Sequence, residues 1–408
     1  MRYRNEIIIT FIITLLVLFL RLINVFQVEN GLGHPIIMVI IILIFSTLSI
    51  TIQKKIDKNY NSNKISYENL DILKYISAIL IIILHLRPFI NYSNEFDLAF
   101  NNIITRICVP IFFLITGYFV AKKEQGNKDY INNYIKKLIP LYIVWSAIYI
   151  PVLIGTAIKY LPTINSYIAT LNLSIPLFIL LGIILIPIAL LVALVYTGVY
   201  YHLWYFPATI LSLLVLKKWK NRFNIKYLLG ISLILLLFGA TETYWGVIPT
   251  SLQQLLSYYY KIFFTTRNFL FFGLFYVVFG YYLGSKKELY SKYCFEKFII
   301  SIFLLVFEAI LLHDIDRLNS NILLSCIPLV YYLFISTIYL SNKIKNTKMI
   351  RNYSKYYYLI HPSIIFILSI INIKIDNPFV NILIVVAITH IVSLFIIKSK
   401  NKYNKLII

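Results

Sequence analysis

Long apolar runs, each broken by a short hydrophilic segment, repeat along the whole chain. The runs fall near the ~20 residues that an α-helix needs to cross a bilayer. They predict membrane-spanning helices at about 6–27, 35–53, 68–90, 103–121, 137–155, 203–216, 227–246, 266–285, 298–312, 321–341, 356–373 and 379–397. No hydrophilic globular domain, low-complexity linker or short-period repeat interrupts them. The pattern is that of an all-α, polytopic membrane protein of about 12 transmembrane helices, whose function resides in the membrane domain itself.

The segments between the runs alternate in charge. Lys-rich stretches at 54–64, 122–137, 217–226, 286–297 and 343–355, with Arg2, Arg4 and the tail Lys398–Lys405, alternate with loops nearly free of basic charge, such as NYSNEFD at 91–97 and HDID at 313–316. The positive-inside rule places the basic set, and so both termini, in the cytoplasm. One segment tests this count: 175–197, IPLFILLGIILIPIALLVALVYT, is long and apolar enough to span. If it did, every later basic loop would fall outside. It is therefore expected to lie in the interface, to re-enter, or to form a helical hairpin with breaks at Pro176 and Pro187.

Composition agrees: 60% of the 408 residues are hydrophobic, 13% are charged, and mean hydropathy is +0.80. The formal net charge of +22 then reads as membrane topology, with some attraction to anionic lipid, and not as a nucleic-acid footprint. The first run lacks a small-residue cleavage site and is expected to stay as a helix. Cys108, Cys294 and Cys326 lie far apart and read as apolar fillers. No His/Cys/carboxylate set has metal-ligand spacing, so no metal is expected, and no phosphate-binding loop of the Walker type is present.

Candidate chemistry begins with LDILKYISAILIIILHLRPFI at 70–90, which holds Lys74 and His85 inside one apolar run. Eleven helical steps bring the two within roughly 20° of one face and about 16 Å apart along the axis. Ionisable groups in a span are costly and usually line a substrate path, so the pair proposes an inward-facing polar track, Lys74 toward the cytoplasm and His85 toward the outside. Asp71 is three residues before Lys74 and positioned to pair with it. Arg106 and Arg267 stand at outer ends of spans. His361 precedes Pro362 within a span, and His202 and Trp204 open a short one. Glu242 and Glu308 are span carboxylates that must be neutral, paired or facing water, Glu308 being the deeper. The 34 Tyr and 29 Phe read as packing and interface belts, and His34, His313 and His390 join no pattern.

From Asp71 onward an ordered series of segments resembles the acyltransferase 3 family of integral-membrane O-acyltransferases acting on bacterial cell-surface glycans. The series is LDILKYISAILIIILH (70–85), RICVPIFFLITGYFVAKK (106–123), YIKKLIPLYIVW (134–145), YHLWYFPA (201–208), RNFLFFGLFYVVFGYYLG (267–284) and SKYYYLIHP (354–362). The resemblance covers about 67–398. It implies two additional N-terminal helices (1–66), a ten-helix core, and a basic cytoplasmic tail (399–408). Where the family has Arg, ten residues, then His, this chain has Lys74 and His85. Lys lacks the planar fork of Arg. The family's Ser-Gly-Tyr reads Thr116, Gly117, Tyr118.

The resemblance implies O-acyl transfer, most often O-acetyl, from acetyl-CoA or another acyl-CoA to a hydroxyl of a cell-surface polysaccharide or other envelope molecule, with no bound cofactor. His85 would be base or relay, Lys74, Arg106 and Glu308 would join it in catalysis, and Asp71, Thr116, Tyr118, His202, Trp204, Arg267 and His361 would bind donor or acceptor. The partners implied are the lipid bilayer of a bacterial cell membrane, acyl-CoA and the glycan. The alternative is a transporter or flippase for a small envelope precursor or amino acid, since the family's fold is also similar to the membrane part of certain serine racemases. The charge-derived topology predicts that, on intact cells, a membrane-impermeant thiol reagent labels an Asn94→Cys variant. A Lys218→Cys variant is labelled only after the membrane is opened; the reverse pattern overturns the topology.

Overall fold

The computed structural model describes residues 10, 14, 35–61, 65–159, 175–289, 292–313, 315, 318–340, 344, 346–372 and 375–402, and among them every regular element is helical. The helices are α1 (Pro35–Asn61), α2 (Glu68–Leu86), α3 (Cys108–Glu124), α4 (Tyr130–Lys159), α5 (Ile175–Val192), α6 (Tyr205–Lys220) and α7 (Ile225–Ala240). They continue as α8 (Thr250–Phe263), α9 (Leu274–Gly284), α10 (Cys294–Leu311), α11 (Cys326–Tyr339), α12 (Lys348–Ile370) and α13 (Pro378–Lys402). The span expected at 6–27 lies outside the described residues. Among the described residues four helical stretches are long and apolar enough to cross a membrane: Glu68–Leu86, Leu98–Glu124, Tyr130–Lys159 and Pro378–Ser399. Others are shorter than a full span. α6 and α7 have 16 residues each and α11 has 14, about 21–24 Å against a hydrocarbon core of about 30 Å.

The chain packs into two compact units. Unit 1 comprises 1–111, 287–316 and 323–354; unit 2 comprises 112–286, 317–322 and 355–408.

In unit 1, side-chain amides stitch helix ends together. Asn69 at the start of α2 donates to the carbonyls of Thr337 (2.9 Å) and Leu340 (2.6 Å) at the end of α11, which would otherwise lack partners. Gln53 of α1 accepts from the backbone N–H of Phe295 at 2.9 Å, in the first turn of α10. Asn59 donates to the Tyr339 carbonyl at 2.7 Å. These bonds seat α1, the helix preceding the family-like region, on α10 and α11. Its Ile40, Leu43, Ile44 and Leu48 stay exposed, as side chains facing lipid do.

In unit 2, glycines let two backbones meet. A Cβ on Gly280 of α9 would stand 2.0 Å from the Leu114 carbonyl oxygen of α3, and one on Gly117 of α3 would stand 2.0 Å from that of Val277. Gly284 meets the Tyr118 carbonyl in the same way, at 2.6 Å. Small residues at helix crossings of this kind are how membrane helices gain close packing. The sequence motif at 116–118 and the glycine pair ending α9 are thus two halves of one contact.

A carboxylate anchors the other end of the unit. Glu242, 1% exposed, follows α7. It accepts from the Thr266 backbone N–H (2.7 Å) and hydroxyl, from the Thr265 hydroxyl (3.2 Å) and from the Asn321 amide (3.1 Å). Its own carbonyl accepts from Leu318 and Asn319. One side chain therefore holds together α7, the turn before α9 and the 318–322 segment.

Two expectations are corrected. Residues 175–197 do not form a hairpin: α5 runs unbroken through Pro187 and continues as a π-helix over Ala193–Thr197. Such a helix is about 34 Å long, and Ile183, Ile184, Ile188 and Leu191 lie exposed along it. Proline here removes one ladder bond without ending the helix. The second correction concerns 247–265, read as part of a connection. It holds the amphipathic helix α8, whose Tyr259 and Tyr260 bond Tyr196 (3.3 Å) and Thr241 (2.8 Å), while Leu252, Leu255, Tyr258 and Ile262 face outward.

The crossing and the anchor predict different stability losses in detergent-solubilised protein. Gly280→Ala is expected to lower the thermal unfolding midpoint, at about 1–3 kcal/mol for overpacking, whereas Gly230→Ala, where an added Cβ meets nothing within 4 Å, leaves it unchanged. Glu242→Ala is expected to cost more, about 1–3 kcal/mol for each buried donor left unpaired.

Candidate functional site

In unit 1 the chemistry gathers at both ends of α2. At its start, buried Asp71 collects three partners. Arg351 donates from Nε to both carboxylate oxygens (3.0 and 3.1 Å) and from a terminal nitrogen to Oδ2 (2.7 Å). The Thr347 hydroxyl donates to Oδ2 at 2.7 Å, and Lys74 Nζ lies 3.2 Å from Oδ1. The i,i+3 spacing of Asp71 and Lys74 is what permits their pairing. Two cations share one carboxylate, so the trio keeps a net positive charge. Lys74 is half-buried, with 19% of its side-chain surface exposed.

His85 lies in the last turn of α2, half-buried. The chain behind it is held by three features. Arg87 takes a left-handed conformation (φ 46°) and its N–H bonds the Ile83 carbonyl. Its guanidinium pairs with Asp97 at 3.1 Å. Phe89, 1% exposed, packs on Phe96 and Phe100 with ring centroids 5.4 and 4.9 Å away. The imidazole therefore projects from a fixed turn.

Arg106 sits in a 3-10 turn, Ile104–Ile107, that packs against α2, and it donates to the Asn102 side-chain oxygen at 3.3 Å. Glu308 of α10 accepts from the backbone N–H groups of Leu324 (2.6 Å) and Ser325 (2.7 Å). These donors precede α11, so the carboxylate meets the positive end of a helix, a stable place for it.

Unit 2 holds a second group. His202 and His361 are buried (1% and 0% exposed), with ring centroids 5.8 Å apart. Tyr149 meets His202 edge-on at 4.6 Å, and its hydroxyl donates to the Leu359 carbonyl at 2.7 Å. The Tyr358 hydroxyl donates to the His202 carbonyl. His361 Nδ1 donates to the Tyr357 carbonyl at 2.8 Å, one turn back. Trp204 lies beneath the Arg267 guanidinium, 5.4 Å from its ring centroid, and between Phe113 and Phe272 at 5.8 and 5.7 Å.

A track of hydroxyls and rings leads away from this group. Tyr205 meets Tyr358 edge-on at 5.8 Å and bonds the Thr116 hydroxyl at 3.1 Å. Thr116 also donates to the Phe112 carbonyl at 2.9 Å. Tyr134, Tyr205, Tyr358 and Arg267 are each half-buried. Tyr118 is fully buried in the α3–α9 crossing, where its role is packing.

The structure thus brings Asp71 to Lys74 and His202 to His361, with Trp204 beneath Arg267 beside them, while Arg106 and Glu308 are held by Asn102 and by the backbone ahead of α11. Arg351, Thr347, Tyr149 and Tyr358 join these groups from outside the sequence-derived set. Tyr358 had a usable signal, three residues before His361 on the same helical face. Arg351 had none, standing among basic residues attributed to topology. His390, patternless in the sequence, bonds the Tyr357 hydroxyl at 2.7 Å. Among the described residues no three His, Cys, Asp or Glu side chains gather as a metal ion requires.

Comparison with known proteins gives two results. The chain is 27% identical over 349 residues to an amino-acid racemase of Enterococcus faecalis (82% of this chain, 46% of that protein). It is 27% identical over 277 residues to another (66% and 35%), and 24% identical over 334 residues to a serine/alanine racemase of Enterococcus gallinarum (79% and 45%). The chain therefore spans less than half the length of these curated relatives. No solved structure matches it. A family profile described as an acyltransferase domain matches residues 67–398, the same stretch that carries the ordered motifs and both site groups, and the chain belongs to the acyltransferase 3 family.

Proposed function

We propose that this protein is a membrane O-acyltransferase of the cell envelope, transferring an acyl group, in the first instance acetyl, from acyl-CoA to a hydroxyl of a cell-surface polysaccharide or other envelope molecule. The observation that carries the reading is the arrangement along α2: a half-buried imidazole on a braced turn at one end, and a net-positive Asp71–Lys74–Arg351 trio at the other. His85 takes the proton from the acceptor hydroxyl as it attacks the thioester carbonyl and passes it to the leaving thiolate. The positive trio holds negative charge on the donor. Lys74 stands where the family has Arg, and Arg351 brings a guanidinium to the same carboxylate, so the planar fork is regained from a distant part of the chain. Arg106 and Glu308 complete the catalytic set. Thr116, Tyr118, His202, Trp204, Arg267 and His361 contribute to binding, Tyr118 through the helix crossing. Both termini and the Lys-rich loops face the cytoplasm, where the donor is made, and the plasma membrane of a bacterium is the proposed location.

A second reading is passage of an amino acid or small envelope precursor through the same domain. The curated relatives favour it: three proteins named as amino-acid or serine/alanine racemases match this chain over less than half of their own length.

Purified protein incubated with labelled acetyl-CoA separates the two. His85→Ala is expected to lower acyl transfer and CoA release about 10²–10⁴-fold, the usual worth of a general base; unchanged turnover removes His85 from the mechanism. Lys74→Arg is expected to keep or raise activity, and a collapse would mean that the lysine is used as such. Solute binding with no CoA turnover in the wild-type protein supports the second reading.

A further inference from the structure

Arg267 carries a site of its own. Its backbone N–H bonds the Thr265 hydroxyl at 3.1 Å, which fixes the residue in the turn before α9. Its guanidinium lies over Trp204 and makes no hydrogen bond or ion pair with any described residue. The groups around it are already engaged. Glu242, the nearest carboxylate to act on it electrostatically, has its oxygens occupied by Thr265, Thr266 and Asn321. Tyr358, the other group in range, spends its hydroxyl on the His202 carbonyl. Five N–H donors are thus left on a planar cation deep in the protein, with part of its surface reachable. Unmet donors in such surroundings are costly, and a ligand anion removes the cost.

We infer that Arg267, stacked on Trp204, binds the carboxylate of a small ligand. Three features select a carboxylate over phosphate. The guanidinium fork matches a planar, bidentate acceptor. Glu242 opposes the charge of Arg267, so the local field suits a single negative charge and not two. The floor is aromatic, Trp204 with Phe272 against it at 5.7 Å, which suits a carbon skeleton beside the anion. The ligand class is therefore a small organic carboxylate, and under the acyl-transfer reading one that also carries a hydroxyl, as a hydroxy-amino acid or an acidic sugar does. This rests on the acyl-transfer reading only in calling that ligand the acceptor; the binding site does not depend on it.

The test is calorimetric titration of the full-length protein in nanodiscs with L-serine, D-glucuronate, their carboxamide counterparts and inorganic phosphate. At least one carboxylate is expected to bind saturably, and which one does so identifies its source as amino acid or sugar. Its carboxamide is expected to bind about tenfold more weakly or worse, a loss of one charge-assisted pair. Arg267→Gln should weaken carboxylate binding by the same factor, and Arg267→Lys should restore part of it, which shows that the fold survives at this position. Gly230→Ala, where an added Cβ meets nothing within 4 Å, should bind as the wild type does. Saturation by neither carboxylate, equal binding of acid and amide, tighter binding of phosphate, or wild-type affinity in Arg267→Gln would each overturn the site. Carboxylate binding without CoA release would instead sink the acyl-transfer reading and leave the site standing.

Discussion

A carboxylate among lipid-embedded helices survives only where fixed donors stand in for water, because the hydrocarbon supplies none. Three acidic residues meet that constraint in three ways, and much of the architecture is arranged around them. Glu242 is satisfied by hydroxyls, an amide and a backbone N–H, and so draws three chain segments to one point. Glu308 is satisfied by two backbone N–H groups ahead of α11 and so fixes where that helix begins. Asp71 is satisfied by a bidentate guanidinium, a hydroxyl and an ammonium, and so ties α2 to the start of α12. Asp71 is met by two full positive charges, which outnumber it, so positive charge remains beside that carboxylate.

The same constraint accounts for short helices. α6 opens at Trp204 and α9 follows the Asn268-capped turn, both beside the aromatic group of unit 2. Helices that stop early leave backbone and side-chain polar groups at depth, which is tolerated only where protein or interior space receives them. Here the receivers are Glu242, Tyr196 and Asn268. The Gly117, Gly280 and Gly284 contacts complement this: where α3 and α9 do run side by side, their backbones touch, leaving no room for a side chain or a ligand.

Much of this was legible along the chain. Apolar run length located the helices, since a helix in lipid must satisfy its own backbone. Period-3.6 geometry placed Lys74 and His85 on one face and Asp71 within reach of Lys74. The order of the motifs identified the family. Less visible was which glycines are contacts: the Gly117 motif and the glycine pair of α9 read as separate signatures, and only their meeting explains both. Pro187 read as a break because proline removes a ladder bond, yet this apolar helix bears that loss and remains one element. α8 went unread because its apolar stripe of Leu252, Leu255, Tyr258 and Ile262 is interleaved with Gln and Tyr, too polar for a span and too short for a domain.

By itself the sequence determined a helical membrane domain of the acyltransferase 3 family, with His85 and Lys74 on a shared helical face. These follow from local rules, namely run length, helical period and the charge of neighbouring loops, each contained within a few turns. Only the tertiary structure decided that Arg351, 280 positions away, shares Asp71 with Lys74, that Asn321 completes the shell of Glu242, and that Arg267 lies on Trp204 with its donors free of described partners. Such pairings depend on which helix ends come together, and no local spacing encodes that. A buried charge takes its function from what surrounds it in space.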